Sequence, residues 1–408
     1  MKTGMPLLAM VLATNFASAA QAQEAVAPSL PTFTVLHNFT GSPDDGADPS
    51  GPLVLASDGS YYGPTNAGGA FNKGAIYRRS PDGNVSVVYS FTGGVDGGQP
   101  TGALVLDEQG NLYGTTSSGG NPDCGVQGGC GVVFRLATNG IQTVLHAFSG
   151  GEGALPQNGL IRDAAGNLYG TTQGGGDMSC TQTIPGCGVA FELAPDGTYN
   201  VLHTFSFTPT GGDGAYPSAL LRDGAGNLYG TATLGTGANG NSDGIFKLEP
   251  DGTYTILFTF TNYTTQGRNP IGGLVGDPAG NLYGVTFNGG ANNQGVAYKL
   301  APNGTYTVLY TFTGGSDGGN PQFSLYRNPR TGLLYGTAFE GGAWGCGTAF
   351  VLSPSLRRQR TLYNFGCSDT ASFPVYPLIK GQGRELVGAS LIGTGNRGTL
   401  YRLEFGGQ

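Results

Sequence analysis

One tripeptide, Leu-Tyr-Gly, recurs along this chain at a nearly constant interval. Its tyrosine falls at six positions, and a divergent seventh copy has valine in the same slot: Tyr62, Tyr113, Tyr169, Tyr229, Tyr283, Tyr335 and Val387. Successive copies are 51 to 60 residues apart, and self-similarity at such a period indicates a repeat architecture. The chain is therefore expected to fold as an array of similar units.

Each unit contains four short apolar runs separated by turn signals, as residues 99–148 illustrate. The runs are Ala103–Leu106, Asn111–Thr116, Val132–Leu136 and Gln142–Phe148. The third run alternates apolar and other side chains, as a half-buried strand does. We found no helical periodicity, so each unit is predicted to be a four-stranded antiparallel meander, which is typical of a propeller blade.

The two ends of the chain each supply part of one unit. A fourth strand is predicted at residues 33–39 and a final third strand at residues 399–405. If these two pieces pair, they complete a seventh blade and leave no open sheet edge at the seam. The sequence thus predicts an all-β, seven-bladed β-propeller over residues 33–408, closed by pairing of the N-terminal strand with the C-terminal blade.

The first 22 residues have the pattern of a secretory signal peptide, with Lys2 ahead of an apolar run and small residues before Ala22. The run is too short for a transmembrane helix. We therefore expect cleavage near Ala22, a short linker at residues 23–32, and a secreted or periplasmic monomer with no membrane span. Net charge is −7 without a basic block, which argues against a nucleic-acid partner.

Six cysteines in an exported chain are expected to form disulfides. Two pairs each lie within one inter-strand loop, one repeat apart. The third pair would join the start of one strand to the far end of the next. The predicted bridges are Cys124–Cys130, Cys180–Cys187 and Cys346–Cys367.

The repeat resembles the GloVer tandem-repeat family of exported bacterial proteins. A nearly complete copy of its pattern consists of Gly212-Asp213-Gly214, Pro217, Leu220, Asp223, Gly226-Asn227-Leu228-Tyr229-Gly230-Thr231, Phe246-Lys247-Leu248 and Pro250-Asp251-Gly252. The resemblance extends over almost the whole mature chain. It implies a secreted or surface propeller, and it implies no activity for the repeat itself.

A blade with this strand order places its long loops on one face of the disc and its tight turns on the other. Loops held by a rigid scaffold often carry function, so a binding site is expected on the loop face, near the mouth of the central channel. A carboxylate recurs there: Asp45, Asp96, Glu152, Asp213 and Asp317. It could bind a cation or basic ligand, but a residue repeated in nearly every blade is more typical of turn architecture.

The three histidines, His37, His146 and His203, share one repeat slot with Tyr and Phe. This indicates a strand face rather than a metal site or a catalytic triad. The Gly-rich loops lack a following Gly-Lys-Ser/Thr segment, so phosphate binding is not supported. No metal and no cofactor are predicted.

Residues that break the repeat on the loop face are the predicted ligand-binding candidates: Trp344, Glu340, Arg268, Asp123, Asp177 and Asp243. An exposed Trp344 could stack on a sugar ring, or it could instead fill a loop core above the nearby disulfide. Arg268 replaces Gly or Ala and could be a placed cation. The three aspartates could be acids, metal ligands or solvated loop residues.

Three functions remain open from the sequence. The favoured one is a rigid binding module for glycans or another envelope component, such as an envelope protein. An alternative is a secreted polysaccharide-active lyase or hydrolase, with its catalytic residues unknown and its site at the channel mouth. A third is a purely structural envelope protein.

Overall fold

The computed structural model describes residues 29–178, 180, 185–207, 212–234, 242–367, 371–393 and 395–406. The predicted signal peptide and most of the predicted linker lie outside the described residues. Within these ranges the chain is almost entirely β-structure, with a single four-residue helix at Tyr263–Gln266. No helix in the described part of the chain is long and apolar enough to cross a membrane.

The strands form seven antiparallel sheets, which we number as blades 1–7. Blade 1 contains Gly46–Pro49, Val54–Leu55, Tyr61–Gly68, Ala75–Arg79 and Val85–Ser90. Blade 2 contains Gly98–Leu106, Leu112–Ser118, Val132–Leu136 and Gln142–Ala147. Blade 3 contains Leu160–Arg162, Leu168–Thr171, Val189–Leu193 and Tyr199–Thr204. Blade 4 contains Ala215–Pro217, Leu221–Arg222, Leu228–Leu234, Asp243–Leu248 and Tyr254–Phe260.

The remaining blades repeat this order. Blade 5 contains Val275–Gly276, Leu282–Thr286, Val296–Leu300 and Tyr306–Thr311. Blade 6 contains Tyr326–Arg327, Leu334–Ala338, Thr348–Ser353 and Arg358–Asn364. Blade 7 contains Ser372–Pro374, Ile379–Lys380, Glu385–Ile392, Thr399–Glu404 and, from the other end of the chain, Thr32–Asn38. The predicted seven-bladed propeller is confirmed.

The ring closes as predicted, because the N-terminal strand is the outer strand of blade 7. It pairs antiparallel with the last strand of the chain, from Thr32 opposite Glu404 to Asn38 opposite Thr399. The Phe33 ring packs between blades, with its centroid 4.3 Å from that of Tyr363 in blade 6. The seam is therefore fixed both by backbone pairing and by aromatic packing.

The glycine of the Leu-Tyr-Gly repeat lies opposite an aromatic residue in every blade. A Cβ atom on Gly114 would approach Phe134 Cζ to 2.7 Å, so only glycine lets the ring lie flat over the neighbouring strand. The seven pairs are Gly63–Tyr77, Gly114–Phe134, Gly170–Phe191, Gly230–Phe246, Gly284–Tyr298, Gly336–Phe350 and Gly388–Tyr401. This contact explains why the tripeptide is the best-preserved part of the repeat.

The tyrosine of the same tripeptide helps to stabilise the tight turn that precedes it. In blade 2 the Asp107 carboxylate accepts hydrogen bonds from the backbone N–H and side-chain amide of Asn111 and from the Tyr113 hydroxyl. Asp163, Asp223 and Asp277 accept the same three bonds in blades 3, 4 and 5. The Asp-x-x-Gly-Asn-Leu-Tyr segment is thus a self-contained turn.

A ring of hydrogen bonds joins neighbouring blades at the loop face. In each blade the residue before a proline has a left-handed backbone, with φ between 50° and 56°: Asp48, Gln99, Leu155, Tyr216, Asn269, Asn320 and Phe373. Six of these donate their N–H to a backbone carbonyl of the preceding blade, as Gln99 does to Lys73 at 2.7 Å. The bonds hold a conformation that is unfavourable for residues with a side chain.

All three predicted disulfides are present. The Cα–Cα distances are 6.1 Å for Cys124–Cys130, 5.1 Å for Cys180–Cys187 and 5.3 Å for Cys346–Cys367. Each bridge fixes a loop-face connection.

Candidate functional site

The recurring loop-face carboxylates are structural, as the turn interpretation predicted. Each one accepts a hydrogen bond from the histidine or tyrosine at the end of the preceding outer strand, at 2.7 to 3.0 Å: His37–Asp45, Tyr89–Asp96, His146–Glu152, His203–Asp213 and Tyr310–Asp317. At the junction between blades 4 and 5 the donor is replaced by Phe258 and the acceptor by Gln266, whose amide oxygen instead accepts the N–H groups of Thr261 and Asn262. Donor and acceptor are lost together, as expected of a paired contact.

The histidines lie on strand faces among aromatic rings. The His146 ring stacks on Tyr199 with a centroid distance of 3.9 Å, and burial lowers the pKa of His146. Among the described residues, no group of three or more His, Cys, Asp or Glu side chains is arranged to hold a metal ion.

Asp243 differs from the interpretation of a solvated loop residue. It is the first residue of a strand and only 4% exposed, and it occupies a slot that is glycine in the other six blades. Its carboxylate accepts the N–H of Asn269 in blade 5, which replaces the backbone acceptor of the other six junctions. Burial raises the pKa of Asp243 to about 6, against the opposing effects of that hydrogen bond and of the Arg268 charge.

Arg268 lies near the same junction. Its side chain is exposed, and its guanidinium lies 5.6 Å from the centroid of the Tyr263 ring. Its positive charge favours the ionised form of the buried Asp243 carboxylate, but the effect of burial is larger.

The other loop-face candidates come from loops of different blades. Trp344 is 67% exposed, so it does not fill a loop core, and Glu340 is exposed in the same loop of blade 6. Asp123 is exposed in a loop of blade 2, and Asp177 lies in a loop of blade 3, where its carbonyl accepts the N–H of Cys187. These side chains are distributed over three blades.

A cavity of about 650 Å³ lies on the opposite, turn face, between blades 6 and 7. This volume is within the range of small-molecule sites. Three aromatic rings line it: Tyr326, Tyr335 and Phe405. Its polar lining comes from Ser29, Asn328, Arg330, Thr331, Lys380, Arg384 and Glu385. The loop-face location expected from sequence is thus not where this cavity lies.

Three lining residues depart from what the repeat has in the other six blades. Tyr326 replaces an aliphatic side chain that pairs with the second-strand residue: Val54, Val105, Ile161, Leu221, Val275 and Ile379. Arg384 replaces the turn glycine: Gly59, Gly110, Gly166, Gly226, Gly280 and Gly332. Phe405 replaces the proline of the next turn, or threonine in blade 2: Pro81, Thr138, Pro195, Pro250, Pro302 and Pro354.

Ring closure and a modified turn create the room for this cavity. Blade 7 takes its outer strand from the N-terminal segment, so Glu404 is not followed by the turn that joins the third and fourth strands in the other blades. Phe405 therefore lies outside such a turn and lines the cavity. In the same blade Val387 replaces the tyrosine of the tripeptide, and in blade 6 Asn328 replaces the turn aspartate. The Tyr335 hydroxyl therefore has no turn aspartate to bind, whereas the equivalent tyrosine binds one in each of blades 2 to 5.

The cavity carries an excess of positive charge. Lys380 Nζ donates only to backbone carbonyls, including that of Gly381 at 2.7 Å, and Arg384 donates to the carbonyl of Gly406 at 3.3 Å. Glu385, the one acid of the lining, is already engaged: it accepts the Tyr61 hydroxyl at 2.7 Å and lies 3.5 Å from Arg402. Within the described ranges, no lining cation is paired with a carboxylate.

The tyrosines of the cavity act as neutral groups. Burial raises the pKa of Tyr326, and burial together with the adjacent Tyr326 hydroxyl raises that of Tyr335. Their rings tilt towards each other with centroids 6.0 Å apart. Both phenols remain protonated at neutral pH, so they provide apolar ring faces and uncharged hydrogen-bonding groups.

The sequence contained a signal for this cavity that a search of the loop face alone misses. Aligning the turn segments of all seven repeats singles out Tyr326, Arg384 and Phe405. What the alignment does not give is their convergence, which depends on how blade 6 packs against the closing blade.

Comparison with solved structures supports the fold. The chain is similar to virginiamycin B lyase from Staphylococcus aureus, with a TM-score of 0.55 and 12% identity over 91% of this chain and 99% of that one. It is also similar to puromycin hydrolase, with a TM-score of 0.53 and 12% identity over 85% of this chain and 50% of that one. At such identities the likeness shows the fold alone. No curated protein sequence matches the chain.

Sequence comparison identifies the family. The model of the Gloeobacter/Verrucomicrobia repeat matches residues 25–184, 125–328 and 234–408, which overlap and together span nearly all of the chain outside the predicted signal peptide. The resemblance inferred from the Leu-Tyr-Gly pattern is therefore confirmed, and the chain belongs to the Gloeobacter/Verrucomicrobia repeat family.

Proposed function

We propose that the protein is an exported binding module that takes a saccharide into the turn-face cavity between blades 6 and 7. The observation that carries this proposal is the convergence of Tyr326, Arg384 and Phe405, each a departure from the repeat, on one cavity. Residues that only maintain a blade would follow the repeat. Departures that meet in space are expected of a ligand site.

The chemistry of the lining suits a sugar. The Tyr326, Tyr335 and Phe405 rings offer apolar surfaces for the C–H face of a pyranose. Asn328 and Thr331, together with the cationic side chains, offer hydrogen-bonding groups for its hydroxyls. A mostly apolar concave surface with a few polar groups is the usual composition of a small-molecule site.

Export is supported by the three disulfides, because such bridges persist mainly in oxidising compartments. It is tested by isolating the protein from the periplasm and the medium and determining its first residue. A mature chain that begins at Gln23 supports the proposal, and an intact N-terminus in the cytoplasm contradicts it.

The binding proposal is tested with a panel of immobilised polysaccharides, scored for retention of the protein and for new reducing or unsaturated ends. Two variants restore repeat residues and should therefore fold: Tyr326→Val and Arg384→Gly. We expect both to lose at least about tenfold in affinity, as for truncation of a residue central to a binding site. A Trp344→Ala variant tests the loop face in parallel.

The possible results separate the hypotheses. Retention that depends on Tyr326 without cleavage supports the binding module. Retention that depends on Trp344 but not on Tyr326 would place the site on the loop face and overturn the cavity assignment. New chain ends that accumulate with time would favour the alternative of a polysaccharide-active enzyme.

A further inference from the structure

We infer that the saccharide bound in the turn-face cavity is an anionic one that carries carboxylates, as a uronic acid does. This inference rests on the proposed function and specifies its ligand class. It starts from the charge of the lining, which contains the three cations Arg330, Lys380 and Arg384 and the one acid Glu385.

The positive charge of the cavity is unusual for this protein. The chain has 26 acidic and 19 basic residues and a net charge of −7. Acidic residues therefore outnumber basic ones in the whole chain, whereas basic residues outnumber acidic ones three to one in the cavity lining. Positive charge in a concave site on an otherwise acidic protein attracts anions selectively.

The three cations of the lining do not neutralise Glu385, the acidic residue of the same lining. Glu385 is held by Tyr61, by the N–H of Gln382 at 3.0 Å and by Arg402, all outside the cationic group. Among the described residues, Lys380 and Arg384 donate only to backbone carbonyls. No ion pair or hydrogen bond of the Arg330 side chain occurs in the same part of the chain. A ligand carboxylate would supply the missing counter-charge.

The residue types favour a carboxylate. The guanidinium groups of Arg330 and Arg384 can each hold a carboxylate through two parallel N–H···O bonds. The nearby rings of Tyr326 and Phe405 provide stacking surface for the sugar that bears it. A site for a small inorganic anion would not need three aromatic rings.

The test uses the full mature protein and three polymers: polygalacturonate, its fully methyl-esterified form, and a sulfated polysaccharide that has no carboxylates. Affinities are measured by titration calorimetry at low and high salt for the wild type and the Arg330→Gln and Lys380→Gln variants. Arg162→Gln is the matched control, since Arg162 occupies in blade 3 the repeat slot that Lys380 occupies in blade 7.

We expect polygalacturonate to bind about tenfold more tightly than its methyl ester, because only the acid offers the cations an ionised hydrogen-bond acceptor. Arg330→Gln and Lys380→Gln should remove most of this preference, and Arg162→Gln should not change it. High salt should weaken binding of the acidic polymer but not of the ester.

The outcomes distinguish the two proposals. If the ester binds as well as the acid and Tyr326→Val weakens both, the saccharide site stands and the anionic ligand is wrong. Preferential binding of the sulfated polymer also overturns the carboxylate assignment. If no polymer binds in a manner that depends on Tyr326, both proposals fail.

Discussion

Replacing Asp243 by asparagine should stabilise the protein at neutral pH and leave its stability at acidic pH almost unchanged. Asp243 is a buried carboxyl group whose pKa is raised to about 6. Asparagine has the same shape and retains an oxygen that can accept the N–H of Asn269. The substitution therefore removes the ionisation while it preserves the junction between blades 4 and 5.

The magnitude follows from the difference in proton affinity between the folded and unfolded states. A tenfold difference corresponds to about 1.4 kcal/mol, so a pKa that rises from 3.8 to about 6 corresponds to about 3 kcal/mol. Because the folded-state value is the higher one, this contribution is fully present below the unfolded pKa and is lost as pH rises through about 6. The raised value of about 6 already includes the effect of the Asn269 hydrogen bond, so the gain for Asp243→Asn at pH 7.5 is about 3 kcal/mol.

The assay is urea unfolding of the oxidised protein at pH 3.5 and pH 7.5, with Asp123→Asn as a control for removal of an exposed carboxylate. The free energies of unfolding of wild type and Asp243→Asn should agree at pH 3.5 and differ by about 3 kcal/mol at pH 7.5. A variant that is less stable than the wild type only at pH 7.5 would refute the reasoning. That result would mean that the ionised carboxylate, helped by the Arg268 charge, stabilises the junction between blades 4 and 5.

Three further predictions concern the blades themselves. Tyr298→Phe should raise the free energy of unfolding by about 1 kcal/mol, because the Tyr298 hydroxyl is buried and has no hydrogen-bond partner among the residues that the structure describes; a lower urea midpoint would show that the hydroxyl is satisfied. Gly114→Ala should lower it by about 1–3 kcal/mol through overpacking against Phe134, and an unchanged midpoint would mean that the ring can move aside. Replacing Cys346 and Cys367 by alanine should lower it by about 3 kcal/mol, from the loop of 21 residues that the bridge closes. Equal stability of the reduced and oxidised wild type would contradict this last estimate.

The fold could be predicted because the repeat constrains it many times over. The Gly114–Phe134 contact and the Asp107–Tyr113 turn are local, and each occurs again in several blades. Ring closure was predictable for a different reason. The two incomplete ends of the chain are a third strand and a fourth strand, which together make one blade.

The candidate site was less predictable, because it depends on contacts between blades. Asp243 occupies a glycine slot in a stretch that resembles a loop, and only the packing of blade 4 against Asn269 buries it. Tyr326 and Phe405 are 79 positions apart in the chain, and nothing in either local segment indicates that they line the same cavity. Departures from the repeat could be identified in the sequence, but their distances from one another could not.

The pairing of the first strand with the last also orders the assembly of the molecule in time. Asn38 and Thr399 are hydrogen-bonded across 361 residues of chain, so the strand Thr32–Asn38 has no pairing partner until the strand Thr399–Glu404 has been synthesised. Contacts of such long range form late and leave an unpaired edge open to aggregation in the meantime. The final strand therefore holds the ring closed. A protease that removed residues 399–406 would also leave the N-terminal strand Thr32–Asn38 without the strand it pairs with.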